Sequence, residues 1–377
     1  MLYDKLKEHA ASGVYPMHMP GHKRNTELLH SDIPYDIDIT EIHGFDDLHN
    51  PCGILLQTAE LAAELYGSDR AFLLVNGSTV GILAVIGAHT TRGDKILATT
   101  NCHRSVQNAS VLFGLDPVYL TPETDEISGI ALSISPEAVG LALENTPDIR
   151  LAVITSPSYE GVMSDIAAIA DIVHKRNIPL LVDSAHGAHL GFSPGFPDSA
   201  VHAGADLVVM SLHKTLPALT QCSLLHICGD LANTGETARL LSVLQTSSPS
   251  YVLMASIDDC LRLLASDKDE LFHNYARNIY RFSEDIRTLK NLFVLCHGSA
   301  RPCPGIFAFD PGKLVIATKN TALSGIILAD VLRTEYSIEL ELAGSDYAIA
   351  MTGICDSTDG FARLAQALLA VDSAIVL

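Results

Sequence analysis

The sequence predicts an α/β protein, with a large domain built on a mostly parallel sheet flanked by helices and a smaller α+β domain after it. Three observations carry this. From Pro51 onward, short apolar runs of strand length alternate with longer stretches in which apolar residues recur every three or four positions. Polar groups gather just after the carboxyl ends of the runs, where open α/β sheets bind ligands. Beyond about residue 250 the rhythm changes to long helical patterns followed by short strands.

Residues 1–48 read as an N-terminal arm rich in His, Pro, Gly and Asp, with an amphipathic helix start from Met1 to Glu8 but no core of its own. Such a segment is expected to lie over the main domain or a partner subunit. Within 49–249, Gly53 to Tyr66 predicts a helix closed by Gly67, since glycine readily takes the left-handed C-cap conformation. Ala71 to Val75, Lys95 to Thr99, Pro117 to Leu120, Leu151 to Thr155, Ile178 to Val182 and Leu207 to Met210 have the length and apolar content of buried strands. Val80 to Ala88, Ser105 to Phe113, Pro136 to Glu144 and Asp165 to Arg176 carry helical spacing between them. Residues 250–377 form the small domain, with helices expected at Tyr251 to Ser266, Asp269 to Leu289, Leu323 to Arg333 and Gly360 to Val371. Its strands are expected at Leu292 to Leu295, Ile306 to Phe309 and Lys313 to Ile316.

Two strand ends carry chemistry. Asp183-Ser184-Ala185-His186 follows one and Ser211-Leu212-His213-Lys214-Thr215 the next. A carboxylate and an amine so disposed are what an enzyme needs to hold pyridoxal phosphate: the lysine condenses with the aldehyde, and the carboxylate keeps the pyridine nitrogen protonated so that the ring accepts electrons. Taken singly, the aspartate has an ordinary reading as a loop cap and the lysine as a solvated charge. Asn76-Gly77-Ser78-Thr79, between a strand and a helix, adds an anion cradle of hydroxyls and free helix-start N–H groups on the positive end of the dipole. Plain N-capping by Ser78 or Thr79 is the competing use. Asn101-Cys102-His103-Arg104-Ser105, just past Thr99, offers an imidazole to lie flat on the pyridine ring, or simply a hydrogen-bonded loop histidine.

With these residues in hand, the chain resembles the Orn/Lys/Arg decarboxylases, pyridoxal-phosphate enzymes of the aspartate-aminotransferase-like fold type I. The resemblance runs along almost the whole chain, from His18-Met19-Pro20-Gly21-His22-Lys23 through Asp38-Ile39-Thr40-Glu41 and Gly44-Phe45-Asp46-Asp47-Leu48-His49-Asn50-Pro51. It continues at Asn76 to Thr79, Asn101 to His103, Ser156-Pro157-Ser158-Tyr159-Glu160-Gly161, Asp183 to His189, Ser211 to Leu216 and Thr220-Gln221. It implies that Lys214 binds the cofactor aldehyde, that Asp183 partners the pyridinium and that His103 stacks on the ring. It also implies that His186, where larger relatives carry an aromatic residue, lies near the phenolic oxygen. Ser78, Thr79, Ser211 and His213 are implied around the phosphate, which Gly77 lets approach. Family members usually carry a further C-terminal domain. This sequence ends at Leu377, soon after the helical pattern from Asp359 to Val371, so a short form is expected.

Composition narrows the rest. The 377 residues, 48% of them apolar, suffice for two packed domains. The formal charge of −20, from 24 basic and 44 acidic residues, argues against nucleic acid, which needs clustered Lys and Arg. The same field steers cationic amino acids toward the protein, although acidity also serves solubility. Eight cysteines without a Cys-x-x-Cys pair suit a reduced cytoplasmic protein. No metal is expected, because the His186 and His189 spacing needs a helix that Gly187 and Gly191 argue against. Neither a signal peptide nor a membrane span is expected.

The expected reaction is α-decarboxylation of a cationic amino acid (lysine, ornithine or arginine), with Lys214, Asp183, His103 and His213 in the chemistry and Lys214 or His213 as the proton donor to the α-carbon. The expected working unit is a homodimer or larger. Two alternatives share these residues: another fold type I enzyme, such as an aminotransferase clamping the substrate carboxylate through Arg301 or Arg333, or a carbon–carbon lyase; and a noncatalytic cofactor-binding protein.

Overall fold

The apolar runs after Pro51 assemble into one seven-stranded sheet at the centre of a computed structural model that describes residues 1–13, 20, 33–126, 128–298, 304–319 and 321–375. Of the His18 to Lys23 motif only Pro20 is among them, and Arg301 also lies outside the described residues. The chain begins with α1 (Leu2–Ala11) and α2 (Ile54–Tyr66), the latter closed by Gly67 at φ 72°. Strand β1 (Arg70–Leu74) leads into α3 (Gly77–His89), β2 (Lys95–Thr99) into α4 (Arg104–Phe113), and β3 (Asp116–Leu120) into α5 (Pro136–Asn145). Then follow β4 (Ile149–Thr155), β5 (Val162–Met163), α6 (Ile166–His174), β6 (Leu180–Asp183) and β7 (Leu207–Ser211). The short α7 (Leu212–Thr215), β8 (Ser223–Ile227) and α8 (Thr234–Leu244) complete the layer.

Sheet order is β1-β8-β7-β6-β4-β2-β3, parallel from β7 to β3 and antiparallel on both sides of β8. Because β8 runs backwards, β1 regains the direction of β7, and the carboxyl ends of β1, β7, β6, β4 and β2 share one edge. The register puts Ser223 opposite both Leu74 and Ser211 at that edge. Every central residue of β6 and β7 is buried, as a sheet covered on both faces by helices requires. Close packing sets the α3 position: a Cβ on Gly81 would lie 2.8 Å from Leu74 and 3.2 Å from Val209. Among the described residues no helix is long and apolar enough to cross a membrane.

Several elements differ from expectation. Strands β5 and β8, helix α8 and, in the small domain, the two strands at Leu342–Ala343 and Tyr347–Met351 are not in the sequence reading; β8, Ser-Leu-Leu-His-Ile, is fully buried yet follows a loop with no strong turn signal. The two expected helices after residue 250 are one, α9 (Tyr251–Asp285). The apolar stripe lapses over Ala265 to Glu270, but that turn is solvent-facing and holds no Gly or Pro, so the helix continues. Strand β10 (Ala308–Phe309) pairs with β5 instead of joining the small sheet. That sheet is antiparallel, ordered β12 (Leu342–Ala343), β13 (Tyr347–Met351), β11 (Lys313–Ala317), β9 (Phe293–Val294), with α10 (Gly325–Tyr336) and α11 (Thr358–Ala374).

The described parts of the arm pack into the main core. Leu2, Leu6, Ile37, Ile39 and Phe45 are buried in the cluster that α2 and α9 share. Asp258 of α9 accepts from Leu2 N, Thr58 Oγ1 and Arg262 Nε, which ties α1, α2 and α9 at one carboxylate. Asp46 does the same for the entry to α2, accepting from the backbone N–H groups of Asp47, Cys52, Gly53 and Leu55 at 2.7–3.0 Å. Burial pushes this carboxyl up, but the N–H groups outweigh burial and hold it below the usual carboxylate range. Asp46→Ala should therefore destabilise the chain by about 2 kcal/mol, read as a lower denaturant midpoint. A depressed carboxyl contributes above its unfolded value of about 4 and loses that contribution as pH falls through the folded value. A gap between wild type and variant that stayed constant down to about pH 2 would refute this role.

Candidate active site

The shared edge of strand ends opens into a cavity of about 420 Å³. All nine residues singled out from the sequence line it: Gly77, Ser78 and Thr79 from the start of α3, His103 before α4, Asp183 and His186 after β6, and Ser211, His213 and Lys214 after β7. Thr155, Tyr159, Thr220 and Gln221 are among the other residues of the wall.

The loop into α3 leaves a helix start free. Gly77 has φ 73°, a conformation that favours glycine, and nothing lies within 4 Å of where its Cβ would stand. Its N–H donates to Gln221 O at 3.1 Å, fastening the two loops together. Asn76 occupies the N-cap without capping; its Oδ1 accepts from Thr246 N instead. Neither Ser78 nor Thr79 is therefore the N-cap. Ser78 Oγ is 2.7 Å from Ser211 Oγ and 3.4 Å from Ser223 Oγ, a hydroxyl cluster beside the helix's positive end.

The imidazoles have defined faces. His103 is the N-cap of α4, its Nδ1 accepting from Ser105 N at 3.2 Å, so its proton sits on Nε2 when neutral. His213 has Nδ1 3.0 Å from Cys222 O, which makes Nδ1 the protonated nitrogen. Buried His186 stands between two amines, with Nε2 3.0 Å from Lys214 Nζ and Nδ1 2.8 Å from Lys313 Nζ. His189 turns away and pairs with buried Asp310 at 3.1 Å. The two histidines thus share no ligand point.

Burial governs the charges. Asp183 is 3% exposed, and burial pushes its carboxyl up against the opposing pull of the Ala185 N–H, Lys214 and His103. Burial likewise lowers the half-buried Lys214 amine, although Asp183 and Glu341 favour its charged form. A buried carboxyl short of a cation, beside an amine biased toward neutrality, is matched to a ligand bearing a ring N–H and an aldehyde.

Lys313 and Glu341 were not read from the sequence, and Tyr159 and Glu160 entered only within the Ser156 to Gly161 motif, without a role. Lys313, at the start of β11, is 1% exposed. Tyr159 packs edge-on against His186, with ring centroids 4.8 Å apart, and its hydroxyl donates to Glu341 Oε1 at 2.5 Å. Glu160 accepts from Ser158 Oγ and Tyr347 Oη, both at 2.9 Å. Arg333, one of the two arginines considered for a carboxylate clamp, is exposed on α10 and bonded to Asp330. Among the described residues no arginine lines the cavity.

Comparison with known proteins gives the family and the fold. The family model described as Orn/Lys/Arg decarboxylase, major domain, matches residues 1–300. An arginine decarboxylase of Bacillus subtilis (strain 168) is 33% identical over 374 residues, covering 97% of this chain and 76% of that protein. An uncharacterized protein of the same organism, YaaO, is 39% identical over 357 residues, covering 92% of this chain and 72% of that one. The crystal structure of the Francisella novicida lysine decarboxylase LdcF superposes with a TM-score of 0.85 at 20% identity, covering 99% of this chain. This chain spans 60% of the length of that one. Pyridoxal phosphate is the cofactor of this family and fold, and the residues present fit it: an uncapped helix start with hydroxyls for the phosphate, a buried carboxyl for the pyridine nitrogen and an amine for the aldehyde. Matched by the family model over most of its length and by its relatives over nearly all of it, the chain belongs to the Orn/Lys/Arg decarboxylase family, on the fold of type I pyridoxal-phosphate enzymes.

Proposed function

We propose that this chain decarboxylates a basic amino acid (lysine, ornithine or arginine) to carbon dioxide and a diamine or agmatine. The observation that carries the reading is the convergence of Lys214, Asp183 and the uncapped start of α3 on one cavity, with Glu160 and Glu341 in the same electrostatic neighbourhood. When bound, the cofactor supplies an electron-accepting ring in conjugation with the substrate α-carbon. Lys214 would hold it through its aldehyde in the resting chain. Asp183 would keep the pyridine nitrogen protonated, and His103, its Nδ1 tied to Ser105, would offer an oriented imidazole to the ring. Gly77, Ser78, Thr79, Ser211 and His213 hold the phosphate. Lys214 and His213, both lining the cavity, are the candidate proton donors to the α-carbon.

Charge supports a cationic substrate. Both glutamates are oriented by hydroxyls, Glu341 by Tyr159 and Glu160 by Tyr347 and Ser158, and their charges act on the site from behind its wall, Glu341 on Lys214 and both on Lys313, a field that favours a cation. The working unit is inferred to be a homodimer or larger, since the family resemblance implies sites at a twofold interface; light scattering of the loaded protein tests this separately.

The reading is tested by incubating the loaded protein with lysine, ornithine, arginine and neutral amino acids while following carbon dioxide and 2-oxo acid. Carbon dioxide should come from at least one basic amino acid, at ten-fold or greater preference over neutral ones, roughly the effect of a single well-placed charge contact. Accumulation of a 2-oxo acid without carbon dioxide would instead make the chain an aminotransferase.

A further inference from the structure

One imidazole bridging two lysines constrains where protons can be. A neutral imidazole has one N–H donor and one lone-pair acceptor, an ammonium only donates, and a neutral amine can accept. His186 is 3.0 Å from Lys214 Nζ through Nε2 and 2.8 Å from Lys313 Nζ through Nδ1. With a neutral imidazole, both contacts are satisfied when the lysine facing the ring N–H is a neutral amine and the other donates to the bare nitrogen, most strongly as an ammonium. Two arrangements meet that condition, and they differ only in proton positions.

We propose that Lys313 is a positioning residue that takes up the proton of Lys214 through His186, so that the triad carries one ammonium and Lys214 is available as a neutral amine. The transfer balances: Lys214 ammonium gives a proton to Nε2 while Nδ1 gives its own to Lys313, leaving a neutral Lys214, the other imidazole tautomer and a Lys313 ammonium. No proton enters or leaves. The inference rests on the reading of Lys214 as the amine that binds the cofactor aldehyde, because only the neutral amine can attack a carbonyl.

The fold is built around Lys313. Its side chain passes over Gly161, at φ 96°, where a Cβ would come within 2.7 Å of the Lys313 Cβ and Cγ. Its Nζ lies 5.8 Å from the Tyr159 ring centroid, within range of a cation–π contact. Asp310, on the turn leading into β11, provides the buried counter-charge and is itself held by His189 at 3.1 Å and by the Gly312 N–H at 2.9 Å. Glu160 and Glu341 act on Lys313 from the loop after β4 and from the small domain. Lys214 faces Asp183 and Glu341, while His103 and His189 add to the field at His186. Burial, joined by the two adjacent lysines, holds His186 well below the usual imidazole range, so the imidazolium is disfavoured. Burial brings Lys313 to about 8, close enough to neutrality to take or release a proton.

The test uses the full chain freed of cofactor, with the rate of reductive methylation at each lysine followed by peptide mapping across pH. Lys214 should react with a midpoint at least one pH unit below that of surface lysines. In Lys313→Met, and equally in His186→Phe, the midpoint should rise toward the ordinary lysine value, with about a ten-fold loss of rate at neutral pH for each unit of rise. A folded Lys313→Met protein with an unmoved midpoint overturns the proposal. So does a midpoint that rises in Lys313→Met but not in His186→Phe, which would mean a direct field without passage through the imidazole. If the variants do not fold, ¹⁵N NMR of the wild-type His186 ring decides: one protonated nitrogen at neutral pH supports the triad, and an imidazolium ends it. A borohydride adduct mapping to another lysine would instead remove the reading of Lys214 on which the inference stands.

Discussion

Lys214→Ala should remove the visible absorbance of the cofactor-loaded protein and lower turnover by ~10⁴-fold or more, the scale on which loss of a covalent catalytic group acts. Lys214 is half-buried on the one-turn helix after β7, within 3.0 Å of His186. The folding cost of the change is small, because alanine suits the short helix and relieves a partly desolvated amine. A cofactor supplied in excess should still associate through the start of α3, since Gly77, Ser78 and Ser211 are untouched. Measured together, absorbance, phosphate content and carbon dioxide release separate a lost covalent link from a lost site. Borohydride reduction of wild type followed by peptide mapping must put the adduct on Lys214; an adduct elsewhere, or substantial turnover in the variant, rejects the assignment.

Much of this cavity was legible in the sequence because its large-domain parts sit at strand ends. A parallel strand reads as an uninterrupted apolar run, so the first polar residues after it mark the sheet's carboxyl edge. Leu180 to Asp183 and Leu207 to Ser211 are adjacent in the sheet, as are β4 and β6, so proximity along that edge follows from topology. The small-domain contribution was not legible. Lys313 opens a strand after an Asp310-Pro311-Gly312 turn, a setting in which lysine is ordinarily a solvated charge. Only the antiparallel packing of β10 on β5 and the Lys313 stem over Gly161 bring it beneath His186. Glu341 and Tyr159 meet across 182 residues of chain, and no local pattern encodes such a pair. The turn before Lys313 was the one available signal, and it specifies a reversal of the chain, not the burial of an amine.

Missed secondary structure has a similar cause. Strand β8 was overlooked because it is short and antiparallel, and carries His226, which is fully buried with Nδ1 2.9 Å from Ser68 Oγ. A histidine within an apolar run weakens a strand reading until its partner is known. The division of α9 into two helices followed from a gap in the apolar stripe. That gap falls between the half of the helix that packs on α1 and α2 and the half that carries Phe272, Tyr275 and Phe282 into an aromatic cluster with Phe196 and Phe361. Two packing surfaces on one rod look like two rods when only the pattern is visible.

Asp183→Asn should separate catalysis from stability in opposite directions. The amide keeps the shape of the carboxylate but cannot hold a proton on the pyridine nitrogen, so turnover should fall by ~10²–10³-fold, the usual effect of removing one preorganised electrostatic partner. The cofactor-free chain should respond differently. Burial pushes the Asp183 carboxyl above its unfolded value, so between the two values the folded chain binds more protons than the unfolded chain, and stability falls as pH rises through that window. At neutral pH the wild-type chain without cofactor therefore bears the cost of a buried carboxylate only partly offset by Lys214 and His103, and asparagine removes that cost. Cofactor-free Asp183→Asn should consequently melt no lower than wild type at neutral pH, with its relative advantage fading in acid, where the wild-type carboxyl is protonated. In the loaded protein the advantage should shrink or reverse, because wild type regains a cationic partner that the amide cannot match. Near-normal turnover in the variant would remove Asp183 from the chemistry. A cofactor-free variant markedly less stable than wild type at neutral pH would show that the carboxylate is held by interactions stronger than the single Ala185 N–H and the field of its neighbours.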